Sequence, residues 1–198
     1  MKGFNKADAI EKFRWYVQTK GLKSRPCVFL RHKSEDKPAC KKIAEYLADA
    51  EIDYYLDEID DALQRAVSAG DPALITESIK KGIRESSHML IIVSEKTFTS
   101  PWVAFEVGYG HSAIIDKTTQ EEQLGDKMKL AVLTLKDLSE KRLPDFMETA
   151  FVIKGTNSLN EYILHISQRN EKSLTGQPRV IKNSTINHPL DDVLNWKL

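Results

Sequence analysis

The apolar run MLIIV at Met89–Val93 constrains the fold more than any other part of the sequence. Alternate side chains of a strand point to opposite faces of its sheet, so a strand that is apolar throughout is buried on both faces. Such burial is typical of a parallel sheet that helices cover on each side. The run therefore predicts the central strand of an α/β domain.

Four more strand-like segments accompany this run, and helical patterns separate them along the chain. The other predicted strands are Cys27–Leu30, Ile52–Asp57, Lys129–Leu135 and Ala150–Ile153. The predicted helices are Ala39–Ala50, Ala73–Arg84 and a helix that begins at Ser100-Pro101 and continues through Val107. This alternation predicts a flavodoxin-like, doubly wound parallel sheet of about five strands.

The two ends of the chain are interpreted as extensions of a single domain. Apolar residues spread among charges from Ala7 to Gln18 predict an amphipathic helix within an N-terminal segment, residues 1–25. Periodicity is weak from residue 171 to 198, which we interpret as a docked or loose C-terminal extension. Residues 26–170 then form the domain, and the total of 198 residues suits one compact core.

The composition argues against several classes of function. The 29 Lys and Arg residues balance 29 Asp and Glu residues, so no net charge favours binding to nucleic acid or to an anionic membrane. No stretch approaches the roughly 18 apolar residues of a membrane span, and the N-terminus lacks the apolar core of a signal peptide. A cytoplasmic protein is the expectation.

The two cysteines give little reason to expect cross-linking or metal binding. Cys27 lies in a predicted strand and Cys40 in the following helix, and no CxxC or Cys/His ligand spacing accompanies them. We expect buried free thiols, with a disulfide as the less favoured alternative. No metal site is predicted.

Polar residues follow three of the predicted strands, and these are the candidates for a functional site. Ligands of open parallel sheets bind beyond the carboxyl ends of the strands. The polar residues at these ends are Arg31, His32 and Ser34 after the first strand, Asp57 after the second and Ser94 after the third. On the next helix, Trp102 and Glu106 are four residues apart and therefore share one face. The sequence thus predicts a crevice lined by these side chains.

Taken in order, these segments resemble a bacterial Toll/interleukin-1 receptor (TIR) domain of the NAD-cleaving kind. The segments that carry the resemblance are Val28–Asp36, Leu56–Asp57, Ile92–Ser94 and Ser100–Glu106. The WxxxE motif at Trp102 and Glu106, on a helix after a strand that ends in serine, is the most specific of them. The resemblance covers about residues 26–165. Within the family, the chain is similar to the TIR component of Thoeris antiphage defence.

The resemblance implies an enzyme that cleaves the nicotinamide–ribose bond of NAD, with Glu106 as its catalytic carboxylate. It implies a substrate-binding set of Arg31, His32, Asp57, Leu74 and Trp102. NAD is the substrate, and no further cofactor is required. The implied product is ADP-ribose or a cyclic isomer that activates a downstream effector, and self-association through TIR contacts is expected.

The sequence departs from the usual family pattern at two places. The stretch after Asp57 is longer than usual, and around Leu74 it lacks the aromatic residue that is frequent there. Arg31 occupies a position often held by serine. Both departures bear on how the substrate is oriented.

Two other classes of protein fit the same pattern. The first is a non-catalytic TIR module that only assembles with other TIR domains, and the second is a nucleoside N-glycosidase or deoxyribosyltransferase.

Plainer roles also remain open for single residues. In these alternatives, Glu106 is a solvated carboxylate on the helix and Trp102 is a core residue. Asp57 and Ser94 cap the turns that follow them. Gly108 and Gly110 weaken the helix interior, and we expect the backbone to approach a neighbouring element there.

Overall fold

The computed structural model describes residues 2–8, 25–57, 60–97, 101–115, 127–136, 138, 143–148, 150–167 and 188–195. Three predicted features lie wholly or partly outside these residues: the N-terminal helix from Ala7 to Gln18, the helix-initiating Ser100, and the C-terminal extension up to residue 187.

Five parallel strands form the sheet at the centre of the molecule. The strands are β1 (Cys27–Arg31), β2 (Asp53–Tyr55), β3 (His88–Val93), β4 (Leu130–Thr134) and β5 (Phe151–Ile153). Their order across the sheet is β2-β1-β3-β4-β5, and every neighbouring pair is parallel. This is the flavodoxin-like order, so the predicted fold class is confirmed.

Helices connect the strands, and two of them follow β2. The helices are α1 (Lys37–Asp49), α2 (Asp61–Ala69), α3 (Pro72–Arg84), α4 (Pro101–Gly110), α5 (Asp145–Glu148) and α6 (Thr156–Ser167). A π-helical turn, His111–Ile115, continues α4. None of the helices in the described part of the chain is long and apolar enough to cross a membrane.

The central strand β3 is buried on both faces, as its sequence predicts. Met89, Ile91 and Val93 pack in one hydrophobic cluster, whereas Leu90 and Ile92 pack in another. The first cluster includes side chains of α3 and α4, and the second includes side chains of α1 and α6. Both faces of the sheet are therefore covered by helices, which explains why Met89–Val93 has no polar side chain.

The long connection after β2 is mostly helical. Within this polar stretch the sequence allows a helix at Ala62–Val67, and α2 extends over the whole of Asp61–Ala69. Asp60 caps α2 by accepting hydrogen bonds from two of its first N–H groups, and Asp71 caps α3 in the same way. Between them Gly70 has a φ of 63°, a left-handed conformation that glycine adopts without steric cost.

Residues 188–195 pack on the domain. Leu190 and Leu194 are buried in the same cluster as α1 and α6. The backbone N–H of Lys136 donates to Val193 at 2.8 Å, and that of Thr156 donates to Asn195 at 2.8 Å. This part of the C-terminal extension is thus docked, while the predicted domain boundaries stay predictions.

Both cysteines are free and buried, which confirms the expectation of buried thiols. Burial raises the pKa of the Cys27 thiol to about 11. The reactive thiolate is therefore scarce at neutral pH, and Cys27 acts as a small core residue.

The two glycines of α4 have different environments. The sequence predicts that the backbone approaches a neighbouring element at both, and this is correct for only one of them. A Cβ on Gly110 would lie 2.4 Å from the Sδ atom of Met89, whose side chain is fully buried in β3. A Cβ on Gly108 would meet no described atom within 4 Å, and Gly108 is exposed. Close approach explains Gly110, and the prediction for Gly108 is wrong.

Gly110→Ala is expected to destabilise the fold and Gly108→Ala to leave it unchanged or to stabilise it. The added methyl group at residue 110 must displace a buried side chain, which typically costs about 1–3 kcal/mol. At residue 108 alanine gains helix propensity of up to about 1 kcal/mol. Urea unfolding of the two variants measures the difference. Equal stabilities would show that α4 does not depend on close contact with β3.

Candidate functional site

The carboxyl ends of β1, β2 and β3 bring together the polar residues that the sequence places there. Arg31 is the last residue of β1, and it pairs in register with Ile91 of β3. Asp57 follows the end of β2, and Ser94 follows the end of β3. Because neighbouring parallel strands end at one edge of the sheet, these side chains surround a common region.

Arg31 and Glu106 form a buried ion pair at this edge. The Nε atom of Arg31 lies in contact with Oε2 of Glu106, as an ion pair and without hydrogen-bond geometry. The Glu106 side chain is 1% exposed and the Arg31 side chain 17% exposed. Glu106 is therefore not a solvated helix carboxylate, because α4 directs it inward against the end of β1.

Glu106 lies on the face of α4 that packs against the sheet. Gly110 follows it by one helical turn on the same face, and Gly110 makes the close approach to Met89. The small residue lets this part of α4 lie close to β3. The approach brings the Glu106 backbone near enough to the strand ends for its side chain to contact Arg31.

The environment of Glu106 raises its pKa from an ordinary value of 4.5 to about 7. Burial is the main cause, because removal from water disfavours the charged form. The positive charge of the Arg31 guanidinium lowers the pKa, and the nearby Asp57 carboxylate raises it. A carboxylate with a pKa this close to neutrality at a sheet edge is typical of a functional site.

Chemically, this arrangement suits reactions in which positive charge develops on a bound molecule. A buried carboxylate acts on such charge in a medium of low dielectric constant, where its interaction is stronger than in water. A pKa near neutrality also allows the same group to accept a proton. Asp57 adds further negative potential, because its charge reaches Glu106.

A second polar cluster joins the loops after β1 and β3. Ser94 donates its hydroxyl hydrogen to the Asp36 carboxylate at 2.6 Å, and the Thr97 hydroxyl donates to the same oxygen at 3.4 Å. The backbone N–H of Ser94 donates to the Thr97 hydroxyl at 3.0 Å. All three side chains are buried, so the cluster holds the two loops together beside the site.

This cluster was only partly predictable from the sequence. The sequence places the capping oxygens of Ser34, Glu35 and Asp36 before α1. The Asp36 side chain, however, makes no capping hydrogen bond to that helix in the described structure. Its carboxylate binds the hydroxyl groups of Ser94 and Thr97 instead. Ser94 does accept a hydrogen bond from the Lys96 N–H at 3.3 Å, which agrees with the turn-capping role expected for it.

The structure gives the positions of three other candidate residues, which are not members of the ion pair. His32 follows Arg31 directly and is buried, with 7% of its surface exposed. Leu74 lies in the first turn of α3, where its side chain is 55% exposed. Trp102 lies one turn before Glu106 on α4, and its side chain is outside the described structure. Their roles in binding a substrate stay predictions.

Comparison with known families identifies a match over most of the domain. The family described as "TIR domain" matches residues 28–148, which is more than half of the chain and includes every candidate site residue. No curated protein matches the chain.

Replacement of Glu106 by Gln is expected to change how stability depends on pH. The native carboxyl titrates near pH 7 and that of the unfolded chain near pH 4.5. Between these values the native state binds more protons, so the free energy of unfolding falls as pH rises through this window. A shift of this size corresponds to about 3 kcal/mol.

Urea unfolding of the parent and Glu106→Gln between pH 4.5 and 8 measures this contribution. The parent should lose stability relative to the variant as pH rises, and the difference should level off above pH 7. Glu45→Gln, which alters an exposed carboxylate of α1, serves as the control. Parallel stability curves for the parent and Glu106→Gln would contradict the assigned environment of Glu106.

Proposed function

The chain belongs to the TIR domain family, and on this premise we propose that it cleaves the nicotinamide–ribose bond of NAD with Glu106 as the catalytic carboxylate. The observation that carries the proposal is the buried position of Glu106 at the carboxyl edge of the sheet. A carboxylate kept from water at a ligand-binding edge is poorly explained by a purely structural role, because its burial costs stability.

The chemistry of NAD cleavage fits one carboxylate. Nicotinamide leaves as a neutral molecule from a pyridinium cation, so no acid needs to protonate it. The bond electrons depart with the ring nitrogen, and positive charge develops on the ribose as an oxocarbenium-like centre. A carboxylate beside that ribose stabilises this charge and accepts hydrogen bonds from the hydroxyl groups.

Water attack on the ribose carbon gives ADP-ribose and releases one proton. Attack by a nitrogen or hydroxyl group of the same molecule gives a cyclic isomer. With a pKa near 7, Glu106 suits removal of a proton from the attacking group as well as charge stabilisation.

The remaining substrate contacts are assigned from the family resemblance. Trp102 walls the pocket beneath Glu106, and Arg31 and His32 hold the diphosphate or stack near the nicotinamide end. Asp57 adds negative potential beside Glu106. Leu74 contacts the adenine side from the first turn of α3, where its apolar side chain is exposed. No metal and no covalent cofactor take part in this scheme.

We place this reaction in the cytoplasm as part of an antiphage response of the Thoeris type. The product, ADP-ribose or a cyclic isomer, is the signal to a partner effector. Self-association through TIR contacts brings the active sites into their working form. These roles rest on the resemblance to TIR proteins of defence systems.

Glu106→Gln is expected to abolish NAD cleavage while the protein remains folded. The substitution keeps the shape of the side chain but removes its charge, and loss of such a charge should lower the rate by about 100-fold or more. Chromatography with mass detection of nicotinamide and its partner product measures the effect. Glu45→Gln keeps the exposed surface of α1 nearly unchanged and should retain the parent rate.

The outcomes of this assay separate the alternatives. Equal turnover by Glu106→Gln and the parent would refute the assignment of the catalytic residue. Absence of nicotinamide release from the concentrated parent would favour a non-catalytic interaction module. Cleavage of nucleosides without cleavage of NAD would favour an N-glycosidase or deoxyribosyltransferase.

A further inference from the structure

We infer that Arg31 is a positioning residue, which holds the Glu106 carboxylate in its ionised form and in one orientation through their buried ion pair. The family resemblance assigns Arg31 to substrate binding, whereas its contact in this structure is with the catalytic carboxylate. The consequence for catalysis rests on the proposed function, but the ion pair and its effect on Glu106 do not.

The backbone geometry supports a fixed pair. Arg31 ends β1, and its partner in register is Ile91 in the middle of β3. Glu106 projects from α4, which lies close to β3 at Gly110. Both members of the pair are therefore held by the same central strand, so little main-chain freedom remains between them.

Among the residues that the structure describes, two charged groups act on Glu106, and they have opposite effects. The Arg31 guanidinium at the end of β1 favours the carboxylate, whereas the Asp57 carboxylate after β2 disfavours it. Burial adds to the effect of Asp57 and exceeds both charges. Arg31 thus opposes two influences that would leave Glu106 protonated and neutral at working pH.

The ion pair also has a cost for catalysis. A cation in contact with the carboxylate weakens its attraction for the positive charge that develops on the ribose. At a pKa of about 7, however, the ionised fraction of Glu106 changes steeply around neutral pH. Below pH 7, protonation would remove the negative charge of Glu106 altogether, whereas the ion pair with Arg31 only weakens its effect. Keeping Glu106 ionised therefore matters more for catalysis there.

The test compares Arg31→Gln with the parent in the pH dependence of NAD cleavage. The inflection on the acid side of kcat should move to higher pH in Arg31→Gln, and activity should recover as pH rises. A shift of one pH unit corresponds to about tenfold slower turnover at pH 6. Arg84→Gln, an arginine on the exposed side of α3, should keep the parent profile.

A second readout does not depend on activity. Carbon-13 NMR of glutamate side-chain carboxyl groups, with the Glu106 signal assigned by its loss in Glu106→Gln, follows the protonation of this residue directly. Its titration midpoint should rise in Arg31→Gln and fall in Asp57→Asn. If neither the parent nor any variant cleaves NAD but these midpoints move as stated, the proposed function fails and the role of Arg31 stands.

Three results would overturn the inference. The first is an unchanged Glu106 midpoint in Arg31→Gln. The second is an unchanged acid limb together with a raised KM, which would make Arg31 a substrate-binding residue only. If Arg31→Gln does not fold, Arg31→Lys carries the test, since lysine keeps the positive charge but not the shape of the guanidinium group. Its midpoint should stay near that of the parent while kcat falls, and a midpoint that rises in Arg31→Lys would refute the role assigned to the charge.

Discussion

Burial of β3 on both faces is the constraint on which the rest of the structure depends. A strand covered on each side needs helical connections, and helical connections between adjacent strands make the sheet parallel. In a parallel sheet, all strands end at one edge. Arg31, Asp57 and Ser94 are far apart in sequence, yet they surround one region because each follows a strand of this sheet. The apolar core and the polar site are two results of a single arrangement.

The charged residues of the site reduce the free energy of unfolding that the apolar core provides. A buried Glu106 with a raised pKa destabilises the folded state above the pH at which it ionises, and the Arg31 guanidinium offsets only part of that effect. The Asp36–Ser94–Thr97 cluster lies next to this pair and satisfies its own buried hydroxyl and carboxyl groups. Its hydrogen bonds keep the loops after β1 and β3 together.

The sequence contained most of the fold but only part of the site. Hydrophobic runs predicted all five strands, and the four-residue spacing of Trp102 and Glu106 identified the helix face that bears the carboxylate. The Arg31–Glu106 contact was not predictable, because it depends on side-chain directions across two elements that the sequence does not relate. Asp36 illustrates the same limit. Its local position favoured a helix cap, but its carboxylate binds the hydroxyl groups of Ser94 and Thr97, which are distant in sequence. Gly110 and Gly108 look alike in sequence, and only the packing of Met89 distinguishes them.

The contact between Gly110 and Met89 has a consequence for how this sequence can change over evolutionary time. The absent side chain at residue 110 and the long side chain at residue 89 fill one volume between α4 and β3. A larger residue at one position therefore requires a smaller residue at the other, and the two positions should vary together among related chains. Because Glu106 lies one turn before Gly110, an uncompensated change at Met89, a residue with no polar chemistry, would alter the distance between the carboxylate and the sheet. A core residue of this kind thus bears on the position of the Glu106 carboxylate as well as on packing.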